Sequence, residues 1–226
     1  MKNRLCVISI ASHGIYMKIY EKNGNVIKII DKASYIIQIR KEVILHDKLS
    51  FGKIKEICEV IKKMKITAEA YQTDKIMVFG TTAVREAKNS EYLEDQLKIV
   101  CGLELVIFDK LQENYIAYEK MSVNLEKNLK DYNEKTSLMI YVGSGNISFS
   151  AIENGINIYN TNVEIGPLVL SDFVDMLHLS EKKKNIAVDE YVNRALRNLF
   201  RNISNIKVER IIIAGKFFDI YLEKIL

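Results

Sequence analysis

The chain of 226 residues has no tryptophan, one proline, three histidines and three cysteines. The cysteines, Cys6, Cys58 and Cys101, are far apart and odd in number, and none belongs to a C-x-x-C pair. That argues against a zinc site or a disulfide framework. Three reduced, mostly buried thiols are the expectation. His13, His46 and His178 fit no metal-ligand spacing, so no metal-binding residue is assigned. With Pro167 alone and no Ser/Gly-rich stretch, there is no sign of a flexible tether. No apolar run reaches the roughly 18 residues that a membrane span needs. The N-terminal MKNRLCVISIA is interrupted by Ser9 and too short for a signal-peptide core. A soluble, cytoplasmic protein without membrane contact is expected. Basic and aromatic residues are not interleaved, which argues against a nucleic-acid surface.

What is present is ample apolar material. Hydrophobic residues make up 48% of the chain, enough for one large domain or two small ones with real cores. The formal net charge of +4 suits an anionic ligand without specifying one. Lys182-Lys183-Lys184 is the only tight basic run and reads as solvated helix surface.

A repeat organises the chain. The segment CVISIASHGIYMKIYEKNGN, Cys6 to Asn25, runs in step with IYVGSGNISFSAIENGINIY, Ile140 to Tyr159, when Ser12 is set on Ser144. Ile10 then falls on Val142, Ala11 on Gly143, Gly14 on Asn146 and Glu21 on Glu153; after one gap Asn23-Gly24 falls on Asn154-Gly155. Each copy reads as strand, small-residue turn, strand, Asn-Gly turn, strand, and Asn-Gly between apolar runs is a strong hairpin signal. Two such triplets more than a hundred residues apart imply duplicated lobes.

The intervening chain alternates. Residues 49–71 have helical spacing, with Ile54, Ile57, Ile61 and Met64 on one face. KIMVFG, Lys75 to Gly80, reads as a buried strand. Thr81-Thr82 offers an N-cap to a helix expected over 83–100 and closed by Gly102. A strand over 103–108 and a long helix over 111–129 follow. After the second triplet, helices are expected over 168–177 and 188–203, then the strand VERIIIA, Val208 to Ala214, and a closing helix in FFDIYLEKIL. The fold class is α/β, with mixed sheets flanked by helices. A cleft between two lobes is the natural ligand site.

TTAVREAKN, Thr81 to Asn89, resembles the T-[ST]-A-V-R-E-A-x-N motif that the Ppx/GppA family carries at a strand-to-helix junction. GLELVIFDKLQENYIAYEKM, Gly102 to Met121, is similar to that family's strand and Glu-Glu-Ala helix, and VEIGPLVLSDF, Val163 to Phe173, to its Gly-Ala-Val-Arg-Leu stretch. These are the exopolyphosphatases and guanosine-pentaphosphate phosphatases. The resemblance implies two actin-like (ribonuclease H-like) lobes, here 1–129 and 130–226, the second abbreviated. It implies a ligand that is polyphosphate or a phosphorylated guanine nucleotide. A short second lobe exposes apolar surface and suits a homodimer.

The departures bear on chemistry. The family's first phosphate loop reads D-I-G-S-N-S; the chain has Ser9-Ile10-Ala11-Ser12-His13-Gly14. The second reads D-I-G-G-G-S-T-E; the chain has Tyr141-Val142-Gly143-Ser144-Gly145-Asn146-Ile147-Ser148. Val169 replaces an arginine, and the family's catalytic glutamate falls on Gln112, or on Glu113 with a one-residue shift. Phosphoanhydride hydrolysis needs an aligned water, a base and usually a carboxylate-held magnesium ion. Glutamine can orient water but cannot take its proton. Glycine-rich turns still offer N–H groups to phosphate, Thr81 and Thr82 stand at an expected helix N-terminus, and Arg85 keeps a fork suited to phosphate oxygens. The implied phosphate-binding set is Ser12, His13, Gly14, Thr81, Thr82, Arg85, Gly143, Ser144, Gly145 and Asn146, with Glu113 and Gln112 as catalytic candidates. No cofactor is assigned, and magnesium is expected only if hydrolysis survives. Three readings remain: a phosphate-binding module whose hydrolysis is lost or weak, an active hydrolase with Glu113 as base, and a ligand-free structural or partner-binding domain.

Overall fold

The computed structural model describes residues 3–128 and 134–215. The chain divides into two compact units, Met1–Asp109 and Lys110–Leu226.

In the first unit, β1 (Asn3–Ala11), β2 (Gly14–Asn23) and β3 (Val26–Ile36) form an antiparallel meander. β4 (Lys75–Gly80) and β5 (Leu105–Ile107) add in parallel on the other side of β1, giving the order β3-β2-β1-β4-β5. Alternation places Cys6, Ile8 and Ile10 of β1 and Ile15, Met17 and Ile19 of β2 in one core. α1 (Ile39–His46) adds Ile39 and Val43 to that core. α2 (Phe51–Ala70) adds Ile54, Ile57, Ile61 and Met64, the helical stripe legible in the sequence. Ser50 caps α2, its hydroxyl accepting from the Lys53 N–H at 3.2 Å.

The helix expected over 83–100 is two helices, α3 (Thr82–Glu86) and α4 (Ser90–Cys101). The break is a tertiary device. The Asn89 side chain accepts from Leu49 N–H at 2.9 Å and donates to the Leu49 carbonyl at 2.8 Å, while Lys88 N–H donates to the Asp47 carbonyl. A continuous helix could not offer those groups to the 47–49 segment. α4 ends as expected, at Gly102 in the left-handed region. Thr81 occupies the N-cap position of α3 but its side chain does not cap; its hydroxyl donates to the Ile10 carbonyl of β1 at 3.3 Å.

The second unit repeats the plan with one strand fewer among the described residues. β6 (Ser137–Val142), β7 (Ile147–Glu153) and β8 (Ile156–Val163) form the meander, and β9 (Arg210–Gly215) lies parallel to β6, in the order β8-β7-β6-β9. α6 (Pro167–Met176) and α7 (Glu181–Ile203) fill the crossover. The closing helix expected in FFDIYLEKIL lies outside the described residues. The long helix is α5 (Lys110–Asn128), and it packs with the second unit. The sequence reading ended the first lobe at 129, whereas compactness draws the division between Asp109 and Lys110. The reason is visible on the helix: Asn114 bonds to Asn162 of β8, and Tyr118 packs on Met139 and Ile152.

The duplication extends beyond the strand count. The β2–β3 register slips between Ile19 and Tyr20, and the β7–β8 register between Ala151 and Ile152. Ile19 and Ala151 are equivalent positions under the repeat, so both meanders bend at the same bulge. The second hairpin closes with Asn154 and Gly155 at φ 51 and 74, the paired positive angles of a type I′ turn. In the first copy the two-residue loop is Gly24-Asn25, one residue later than the sequence match places it. Among the described residues no helix is long and apolar enough to cross a membrane.

All three cysteines are buried and reduced. Burial pushes the Cys6 thiol up to about 11, and Cys58 likewise to about 11 with Cys101 beside it adding to the effect. Iodoacetamide at pH 8 is therefore expected to leave the native protein unlabelled and to modify all three thiols in urea, as read by mass spectrometry. The folded chain holds these thiols protonated while the unfolded chain ionises them, so their contribution to stability is complete below pH about 9 and lost as pH rises to about 11. Urea midpoints measured across that window check the sign.

Candidate functional site

In parallel α/β sheets ligands meet the carboxyl ends of the strands. In the first unit those ends are stitched into one rim. Thr81 N–H donates to the Ile10 carbonyl at 3.1 Å, joining β4 to β1, and Phe108 N–H donates to the Gly80 carbonyl at 3.0 Å, joining β5 to β4. Arg85 crosses the rim, giving one N–H to the Phe108 carbonyl at 2.6 Å and another to the Thr82 hydroxyl at 3.3 Å. The turn between β1 and β2 is Ser12-His13. The Ser12 carbonyl accepts from the N–H groups of Ile39 and Arg40 at 3.1 and 2.9 Å, and the His13 carbonyl from Ile37 N–H at 3.2 Å. Gly14 lies so close to β3 that a Cβ there would stand 2.4 Å from the Tyr35 carbonyl oxygen. Ser12, His13, Gly14, Thr81, Thr82 and Arg85 thus lie along one edge of the first unit's sheet. α3 has only five residues, so its dipole adds little to anion binding.

The second unit builds the same edge. The turn between β6 and β7 is Gly143-Ser144-Gly145-Asn146, closed by Gly143 N–H donating to the Asn146 carbonyl at 2.9 Å. The Ser144 carbonyl accepts from Leu168 N–H at 3.0 Å and the Gly145 carbonyl from Gly166 N–H at 3.2 Å. The spacing from residue 37 to 166 equals that from 39 to 168, so the two turns are held by matching amides at matching helix starts. Among the described residues, no protein group accepts from the N–H groups of Ser144, Gly145 and Asn146. Gly166 permits the close approach of the α6 start to this turn: a Cβ there would lie 2.6 Å from the Asn146 nitrogen and 2.5 Å from the Ser144 oxygen.

Two groups were not legible as site residues. Arg40, 6% exposed, stands in the first unit at the place of Val169 in the second and pairs with Glu86 at 3.7 Å. Extending the repeat past the strands would have found it. Asn114, beside Glu113 in the first turn of α5, is 4% exposed and lies 3.4 Å from the Ser148 hydroxyl. Asn162 donates to Asn114 at 2.7 Å. The residue where the resemblance places a loop-closing glutamate is therefore a buried serine in a neutral network. Gln112 is exposed and Glu113 half-buried.

The side chains at the second turn do not make a magnesium site. That ion takes one or two carboxylates together with phosphate oxygens, and Tyr141 and Ser148 supply none. Among the described residues, no group of three or more His, Cys, Asp or Glu side chains could hold a metal ion.

Comparison with known proteins gives the context. The profile of the Ppx/GppA phosphatase family matches residues 18–155, more than half of the chain. An exopolyphosphatase from Cytophaga hutchinsonii superposes with a TM-score of 0.82 at 17% identity, over 98% of this chain and 70% of that one. The Aquifex aeolicus PPX-GPPA enzyme superposes at 0.71 with 19% identity, over 94% and 68%. At these identities the likeness is one of fold. No curated protein matches the chain.

Gly166→Ala is expected to destabilise by about 2–3 kcal/mol, because its Cβ meets backbone rather than a movable side chain. Gly52→Ala, near the start of α2 and with no atom closer than 4.0 Å, is the control and is expected to stabilise by a few tenths to about 1 kcal/mol. Urea unfolding of both variants reads the contrast.

Proposed function

The chain belongs to the Ppx/GppA phosphatase family, and on that premise we propose that it binds polyphosphate or a phosphorylated guanine nucleotide, with hydrolysis lost or weak. One observation carries the binding half: the consecutive N–H groups of Ser144, Gly145 and Asn146 have no acceptor among the described residues. Successive backbone N–H groups in a turn make an anion-binding concavity that needs no charged side chain. In the first unit, the rim at Ser12-His13 carries Arg85, whose planar fork suits phosphate oxygens. The catalytic half rests on substitution. A general base must reach the attacking water, and the family's loop carboxylates are Ser9, Tyr141 and Ser148 here.

A second reading keeps hydrolysis of a terminal phosphate. Its support is Glu113, half-buried in the first turn of α5, whose neighbour Asn114 reaches Ser148 at the start of β7. Glu113 would then act as base.

Calorimetry with polyphosphate, without magnesium, is expected to show binding in the wild type. Arg85→Ala is expected to weaken it about tenfold, roughly 1.4 kcal/mol. No heat in the wild type, or unchanged affinity in the variant, counts against the binding reading. Phosphate release from polyphosphate with magnesium is expected to stay at background. Turnover that Glu113→Gln abolishes would establish the second reading in its place.

A further inference from the structure

Arginine is scarce in the chain and is bonded almost everywhere it occurs. Seven of the 33 basic residues are arginines. Arg4 holds Glu21 at 2.8 Å and the Tyr71 carbonyl at 2.7 Å, Arg40 pairs with Glu86, Arg85 binds the Phe108 carbonyl, and Arg210 is engaged as well. The other three, Arg194, Arg197 and Arg201, stand exposed on α7, and among the described residues no group bonds to their side chains. A guanidinium offers a planar fork that lysine lacks. A chain that elsewhere keeps arginine for bonded forks and lysine for its solvated surface thus leaves three forks open on one helix.

Spacing of three and four residues sets the three on one ridge, opposite the stripe that buries Leu199. The choice costs the helix something. Arg197 has a like charge three residues before it and four after, and no acidic residue stands three or four places from Arg197 or Arg201. The helix dipole favours a cation only in the last turn, which accounts for Arg201 alone. Phe200, three residues after Arg197, is 58% exposed beside them. Arginine with an exposed aromatic, and no lysine among them, is the composition of interface centres. A nucleic acid fits less well, because Glu190 lies one turn before Arg194 on the same ridge, where it would meet the phosphates.

The chain carries the complement. Glu91, Glu94 and Asp95 are exposed in the first turns of α4, and among the described residues none of the three has a cationic partner. Tyr92 is exposed next to them, with the 74% exposed Phe51 of α2 edge-on to its ring at 5.4 Å. Carboxylates match the guanidinium fork, two oxygens to two N–H groups. The aromatic pair offers ring surface to Phe200 and to guanidinium planes. We propose that the Arg194–Arg197–Arg201 ridge of one copy docks on the Glu91–Asp95 face of α4 in a second copy. The two faces differ, so the contact is heterologous, and a contact between two single-helix faces belongs to the weak, reversible class. The proposal is independent of phosphate binding and gives the expected self-association a surface.

Sedimentation velocity on the full chain tests it. At an ionic strength of about 0.01 M the wild type is expected to self-associate as its concentration rises, and at about 1 M, where screening acts within about 3 Å, to sediment as a monomer. The triple variant Arg194→Gln/Arg197→Gln/Arg201→Gln is expected to weaken self-association about tenfold, and Glu91→Gln/Glu94→Gln/Asp95→Asn to do the same. Each variant keeps one face intact, so an equimolar mixture is expected to form a 1:1 complex that neither forms alone. Circular dichroism reports that both remain folded. If a triple variant does not fold, Arg197→Gln alone carries the test with a severalfold loss. A wild type that stays monomeric at low salt, or a mixture that forms no complex, overturns the proposal. So does duplex DNA binding that the glutamines abolish in a protein that does not self-associate, which assigns the ridge to nucleic acid.

Discussion

The backbone amides at the start of two helices, donating to the carbonyls of Ser12 and Ser144, set the geometry on which the rest of each unit depends. A meander of three strands leaves its first turn projecting from the sheet end. Left alone, a turn of small residues would sample many conformations, because glycine and its neighbours lose much entropy on ordering. The chain answers by bringing the helix that follows the third strand back onto that turn. Its first amides, which have no acceptor inside their own helix, find one in the turn carbonyls. One set of bonds thus satisfies the helix start and orders the turn. With the carbonyls of Ser144 and Gly145 engaged by Leu168 and Gly166, the amides of the same turn are left to other acceptors.

Much of this architecture is legible in the sequence. Alternation in the six meander strands, the hairpin glycines, and the apolar stripe of α2 follow from short-range chemistry, and the match of Ser12 to Ser144 located both turns. What was hidden is tertiary. The interruption at 87–89 depends on Asn89 finding Leu49, forty residues earlier in the chain. The allegiance of α5 depends on Asn114, whose type suggests a solvated position but whose amide sits inside the second unit. The stitching bonds are between backbone groups and leave no mark on residue identity, except at Gly166, where only the absence of a side chain lets the strands and helix approach. Thr81 looked like a cap by type; its hydroxyl instead ties β4 to β1.

The two units solve a shared geometric problem with different chemistry. The first places a buried guanidinium, Arg40, where the second has Val169, and pairs it with Glu86 of α3. The second buries Ser148 and Asn114 at the root of its turn and bonds both to the half-buried Asn162. Buried neutral groups that satisfy one another cost less than an unpaired buried charge. Ser148 is thus satisfied by its neighbours where it stands.

The Ser148–Asn114–Asn162 network has a further consequence. Where loop carboxylates ring a phosphate site, the shape of the loop is tied to whether a proton or a cation occupies it, and each change of occupancy is also a mechanical event. Here the bonded groups at the root of the turn are the hydroxyl of Ser148 and the amides of Asn114 and Asn162, which carry no charge to change. The shape of the turn is set once, when the chain folds. Across the span of pH in which the unit stays folded, these bonds hold the root of the turn in one arrangement.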